Sequence, residues 1–152
     1  AQNAWNVLER DIEADLVPVC DTNGIGLLPY YPIARGLLTG KYRRDAEAPA
    51  GSRLAGDATL ADADFNRIEK LETYANDHGH ELLTLAMSWL AAQPSIASII
   101  AGAWEPSHLV AAASGSESAD SRHTAQTALS SCSSAFGFSP AHGASSHSMF
   151  SP

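Results

Sequence analysis

Cysteine is scarce, with Cys20 and Cys132 the only two in 152 residues. Two thiols in such unlike surroundings do not make a disulfide framework, so a reducing, cytoplasmic setting is expected. Basic residues are also few: nine Lys and Arg stand against 17 Asp and Glu, for a formal charge of −8. That balance argues against a general nucleic-acid binder, which needs a basic face for the phosphates. No apolar run approaches the roughly 20 residues that span a bilayer, so no membrane partner is expected. The first residues lack a basic stretch leading into an apolar one, so no secretory leader is expected. Metal-ligating groups are thinly spread. His78-Gly79-His80 has no Cys or carboxylate placed to complete a site, and a helix-end turn with two solvent-facing imidazoles is expected there.

What is present is 45% hydrophobic, enough for one ordinary domain. The chain is organised around residues 24–41, GIGLLPYYPIARGLLTGK. Residues 25–28 are a short apolar run after a Gly, the pattern of a strand buried on both faces. Pro29 should end it, because Pro cannot donate to a ladder and restricts the residue before it. Residues 33–39 suit one or two helical turns closed by Gly40. A buried strand that opens into a loop with two aromatics, an Arg and a Gly is where α/β proteins place ligands.

The flanks read as alternating helices and strands. Residues 15–23 form a short helix with Leu16, Val17 and Cys20 inward. Asp15 is its N-cap, and Gly24 stops it. Residues 42–60 are a polar loop whose Arg43, Arg44 and Arg53 suit either a solvated surface or an anion clamp. Phe65, Ile68, Leu71 and Ala75 recur three to four apart and predict a helix over 61–78. A second, wider apolar helix is predicted over 81–93, and residues 96–101 read as another buried strand. A small Ala-rich helix is predicted over 107–114.

The run from Pro29 to Lys41 resembles the segment after the seventh strand of aldo-keto reductases. The bacterial branch similar to potassium-channel β subunits is nearest, with its usual Y-S-P-L-A-x-G-x-L-T-G-K. Tyr31 stands where that pattern has Ser. AQNAWNVL at the start resembles the end of the sixth strand, Q-x-x-Y-N-L-L, with Trp5 for Tyr. Ile100, Ala101, Gly102, Ala103 and Pro106 keep the eighth-strand pattern I-x-G-A-T-x-P-E-Q-L-E-E-N. There Trp104 replaces a small hydroxyl residue, His108 replaces Gln or Arg, and Ala111 and Ala112 replace an acidic residue and Asn near the adenine.

The resemblance implies a (β/α)8 TIM barrel, which takes about 250 residues. The chain is therefore expected to be the C-terminal portion of such a barrel, a fragment holding about the last three βα units over residues 1–114. Residues 115–152 are rich in Ser, Ala, Gly and His, and a disordered tail is expected; composition fits a genuine extension and a frameshifted reading frame equally.

The family reduces aldehydes and ketones by hydride transfer from NADPH, and its catalytic Asp, Tyr, Lys and His lie on earlier strands. No catalytic residue is therefore expected in this chain, which would be inactive alone while carrying part of the NADPH (NADP) site. Gln2 would hold the nicotinamide carboxamide and Tyr30 would stack on the nicotinamide. Backbone at Tyr31, Ile33 and Arg35 would meet the pyrophosphate, with Gly102 and His108 contributing from the last unit. Restoring Ser at position 31 is expected to leave cofactor binding unweakened. The partner implied is a small carbonyl substrate of the full-length enzyme, with self-association through exposed strand edges. Two alternatives stay open: a non-enzymatic NADP(H)-binding regulatory module, and a barrel fragment without cofactor function.

Overall fold

The computed structural model describes residues 1–102 and 110. The expected helix over 107–114, His108 and the tail over 115–152 lie outside the described residues, apart from Val110.

Three extended segments lie side by side in parallel, joined by the isolated bridges Ala4–Tyr30, Leu27–Ile96 and Tyr30–Ile100. The segment around residues 27–30 is in the middle. Its Leu28 and Tyr30 N–H groups donate to the Ala1 and Asn3 carbonyls at 2.7 and 3.0 Å. Its Leu27 N–H donates to Ser95 O at 2.8 Å, and its Leu27 and Pro29 carbonyls accept from Ala97 and Ile100 at 2.9 Å. Successive residues thus bond to opposite neighbours, as a pleated strand requires. The N-terminal residues are tied in by the same ladder, and the terminal ammonium donates to Gly26 O at 2.7 Å.

Pro29 does not end the pairing. Its missing N–H faces the third segment, where the register slips: the acceptor at Leu27 meets Ala97, whereas the acceptor two residues on meets Ile100. One extra residue on the third segment bulges out opposite the proline, the usual way a sheet absorbs a missing donor.

Helices connect the segments, the order expected of βαβ units. Helix α1 spans Leu16–Asn23, with Cys20 buried. Asp15 precedes it, but its side chain makes no cap hydrogen bond. Gly24 closes it at φ 64°, a conformation glycine adopts without Cβ strain, and Ile25 N–H returns to Cys20 O at 2.8 Å. Helix α2 spans Phe65–Asp77 and starts later than expected, because Asp64 accepts from Arg67 N–H and fixes the N-terminus there. The preceding residues Ala58–Leu60 form a 3-10 turn capped by Asp57. Helix α3 spans Leu82–Ala91 and buries Leu82, Ala86, Met87, Trp89 and Leu90. His78 caps the end of α2, its Nδ1 lying 2.8 Å from Tyr74 O.

The core lies between these helices and one face of the segments, where Trp5, Leu27, Leu38, Ile68, Leu71 and Leu90 pack together. Trp5 and Trp89 meet edge to face, at 6.1 Å between centroids and 85° between planes. Its Nε1 donates to Glu13, which also takes a forked bond from Arg10. Arg67 reaches from α2 to the Val7 and Leu8 carbonyls.

The expectation that residues 25–28 are buried on both faces is corrected. Leu27 is buried, but Ile25 and Leu28 are 45% and 38% exposed, and Ile100 beside them is 41% exposed. By alternation Leu28 and Ile100 lie on the face opposite Leu27, a face largely exposed among the described residues; Ile25 shares the face of Leu27 and is exposed at the start of the segment. Among the described residues no helix is long and apolar enough to cross a membrane.

Candidate functional site

At the carboxyl end of the middle segment, Pro29 and Pro32 bracket two tyrosines and force the chain out of the sheet. The turn that follows, Ala34–Thr39, is 3-10 rather than α, and is broken by non-helical backbone at Arg35 and Gly36. Tyr31, Ala34 and Arg35 all have positive φ, at 56°, 47° and 57°. For residues with a Cβ this region costs about 1–2 kcal/mol each, so it persists only where the surroundings enforce it.

The enforcement is visible. Asn6 is fully buried, and its Nδ2 donates to the Tyr31 carbonyl at 3.0 Å. Its Oδ1 accepts from the Leu8 and Glu9 N–H groups. The Tyr31 carbonyl also accepts from Ala34 N–H at 2.9 Å, and the Ile33 carbonyl takes Gly36 and Leu38 N–H. The result is a row of unused donors: the N–H groups of Tyr31, Ile33 and Arg35 donate to nothing among the described residues. Consecutive left-handed and right-handed residues with free N–H groups form concavities suited to anions.

Side chains add charge and a flat surface. Tyr30 and Tyr31, both half-buried, meet edge to face at 5.0 Å. The Arg35 and Arg53 guanidiniums lie over the Tyr31 ring, at 5.1 and 5.6 Å from its centroid. Neither forms an ion pair among the described residues. Arg35 is also close enough to Asp57 to contribute to holding that carboxyl below its usual range, after the hydrogen bonds from Thr59.

Of the three loop arginines considered for an anion clamp, only Arg53 is placed for it. Arg43 pairs with Glu72, and Arg44 forks onto Glu69 while also bonding Asn66. These contacts push both guanidiniums up from their ordinary value, the side-chain hydrogen bond being the main cause in each. The loop is not merely a solvated surface either. Tyr42 and Leu54 are buried, and the Tyr42 hydroxyl accepts from Leu54 N–H at 3.2 Å, which fixes the base of the turn carrying Arg53. An open groove of about 490 Å³ is lined by this loop and the start of α2, among others by Arg43, Arg44, Asp57, Leu60 and Phe65, and neither Tyr30 nor Tyr31 lines it.

Gln2 is exposed on the neighbouring segment, between the two residues whose carbonyls bond Leu28 and Tyr30. Ile33 is half-buried and supplies backbone only. Gly102 is exposed two residues beyond Ile100, with open space among the described residues where a Cβ would stand. Gln2, Tyr30 and Gly102 therefore sit on three adjacent parallel segments. No role was assigned to Asn6 from the sequence, although it matches the Asn of the pattern Q-x-x-Y-N-L-L that the first residues resemble.

The model of the aldo/keto reductase family matches residues 1–118. A probable voltage-gated potassium channel subunit beta of Oryza sativa subsp. japonica is 32% identical over 117 residues, covering 72% of this chain and 35% of that protein. The L-glyceraldehyde 3-phosphate reductase of Escherichia coli strain K12 is 30% identical over 112 residues, covering 67% and 32%. The NADH-specific methylglyoxal reductase of the same strain is 32% identical over 108 residues, covering 69% and 33%. The chain thus spans about a third of the length of the curated relatives it matches. Among solved structures, a glycerol dehydrogenase from Gluconobacter oxydans superposes with a TM-score of 0.63 at 23% identity, covering 94% of this chain and 44% of that one. That likeness concerns the fold, and it fits a partial (β/α)8 barrel.

Proposed function

The chain belongs to the aldo/keto reductase family, and from that premise we propose that it carries part of the NADPH site of an enzyme that reduces small aldehydes and ketones in the cytoplasm. The observation that carries this reading is the row of unused N–H donors at Tyr31, Ile33 and Arg35, gathered with two guanidiniums over the Tyr31 ring, which itself meets the Tyr30 ring. A pyrophosphate needs such donors and cations. A nicotinamide needs a flat wall on one side, which positions it and leaves the other side open to substrate. When bound, the cofactor supplies the hydride. Gln2 is assigned to the carboxamide, and Gly102 and His108 to the last unit's share of the site.

Tyr30 is a wall, not the acid. Reduction also needs a proton donor and stabilisation of the developing alkoxide. In the family those tasks fall to Asp, Tyr, Lys and His on earlier strands, so the 152 residues alone bind without turning over. Titration of NADPH into this chain, followed by quenching of cofactor emission, tests the reading. Binding is expected, weakened by about 1–3 kcal/mol in Tyr30→Ala, the usual worth of stacking a base on an aromatic. Equal binding by both chains, or NADPH-dependent aldehyde turnover by the wild-type chain above buffer, overturns it. Absence of binding supports instead a barrel fragment without cofactor function.

A second reading is a non-enzymatic NADP(H)-binding regulatory module. It is favoured by the probable potassium channel β subunits of Oryza sativa and Arabidopsis thaliana, 32% and 33% identical to this chain. Reductase activity in a longer form of the protein decides against it.

A further inference from the structure

Arg35 and Arg53 come from different parts of the chain, one in the turn after the middle segment and one in the long loop beyond it, yet both rest on a single ring. Two like charges at such range repel, and neither is neutralised by a carboxylate contact among the described residues. Asp57 is near enough to attract Arg35 but forms no ion pair with it, and the attraction common to both cations is the π system of Tyr31, which draws a guanidinium within about 6 Å of its centroid. The ring itself has no freedom to leave. Its backbone is pinned at φ 56° by the Asn6 and Ala34 bonds to its carbonyl, and Tyr30 packs against it edge to face. Ser, the usual residue of the resembling motif, offers no such face.

We propose that Tyr31 is a positioning residue of this chain's anion site: its ring holds Arg35 and Arg53 as a pair and docks the Arg53 turn before any anion arrives. The proposal rests on the cofactor reading above for the identity of the natural anion, a diphosphate, but not for the docking itself. It also reverses one expectation from the sequence, because Ser at position 31 now removes the ring on which both cations depend.

The test uses the full 152-residue chain and inorganic pyrophosphate, with amide hydrogen exchange over residues 49–57 as a second readout. Tyr31→Phe keeps the π face and is expected to match wild type in both. Tyr31→Leu and Tyr31→Ser are expected to speed exchange over 49–57 several-fold, leave exchange in α2 unchanged, and weaken pyrophosphate binding roughly five- to tenfold, as loss of two exposed cation–π contacts implies. Arg53→Gln, at an exposed position that leaves Tyr31 intact, is expected to release the same turn, which keeps the test decisive if a Tyr31 variant misfolds. Equal exchange over 49–57 in the Phe, Leu and Arg53→Gln chains overturns the proposal, as does unchanged pyrophosphate affinity in Tyr31→Leu. Failure of NADPH alone to bind, with these differences intact, removes the cofactor reading and leaves the positioning role standing.

Discussion

Asn6 Nδ2 donates to the Tyr31 carbonyl oxygen at 3.0 Å, linking the end of the first segment to a positive-φ residue of the loop beside it. The amide is fully buried, and its oxygen serves the Leu8 and Glu9 N–H groups. Asn6→Ala leaves those groups without partners, so a loss of about 2–3 kcal/mol is expected on urea denaturation. Asn6→Asp keeps the two acceptor bonds and loses the tether to Tyr31. It also buries a carboxylate against the Glu9 carboxylate and the Tyr31 carbonyl, so it is expected to cost at least as much stability as Asn6→Ala and to speed amide exchange at Ala34, whose N–H shares the same carbonyl.

A second prediction concerns the close approach of two segments. A Cβ at Gly26 would stand 2.6 Å from the Ala97 Cβ, and neither atom can rotate away. Gly26→Ala is expected to destabilise by about 1–3 kcal/mol through overpacking. Removing the opposing methyl in Gly26→Ala/Ala97→Gly should recover much of that loss, giving a clearly non-additive cycle. Strict additivity would show that the segments do not meet there.

The turn at Ala58–Leu60 should respond to acid. Asp57 has its carboxyl pushed below the ordinary value, chiefly by hydrogen bonds from Thr59. A depressed folded-state value means the ionised form stabilises the turn fully above the usual carboxylate range and ceases to do so as pH falls through the lowered value. The Thr59 amide should therefore be protected relative to its intrinsic exchange rate near neutrality, and that protection should fall in acid. In Asp57→Ala the protection should be low at both, with no acid step.

Solution behaviour follows from the uncovered face. Leu28 and Ile100 present apolar side chains on it, and among the described residues the outer segments have no further strand partner, an arrangement that invites another chain. The 152-residue chain is expected to self-associate in size-exclusion and light-scattering measurements, and Leu28→Thr/Ile100→Thr to shift it toward monomer. A monomeric wild-type chain with one sharp thermal transition would contradict this.

How legible was this in the sequence? The helices were, because Ile68, Leu71 and Ala75 keep helical spacing and Gly24 marks a stop. Their starts were less so: Asp62 and Asp64 both look like caps, and only the bond to Arg67 N–H selects the second. The apolar runs at 25–28 and 96–101 announce residues that gain from burial. They do not say whether a covering layer is present, and among the described residues Leu28 and Ile100 remain exposed on one face. In the candidate site, the local loop was readable because Pro29, Tyr30, Pro32 and Gly36 constrain it directly. The partners of Arg43, Arg44 and Arg53 were not, since carboxylates and rings far along the chain decide which guanidinium is engaged.

The crossed indoles of Trp5 and Trp89 have a practical consequence. One lies just past the first segment and the other near the end of α3, so they come together only when opposite ends of the described chain have closed on each other. Two rings at 6.1 Å and near right angles couple their transitions, which makes the pair a built-in optical gauge. Its near-ultraviolet circular dichroism should follow long-range closure alone, whatever the local helices are doing, and it needs no label.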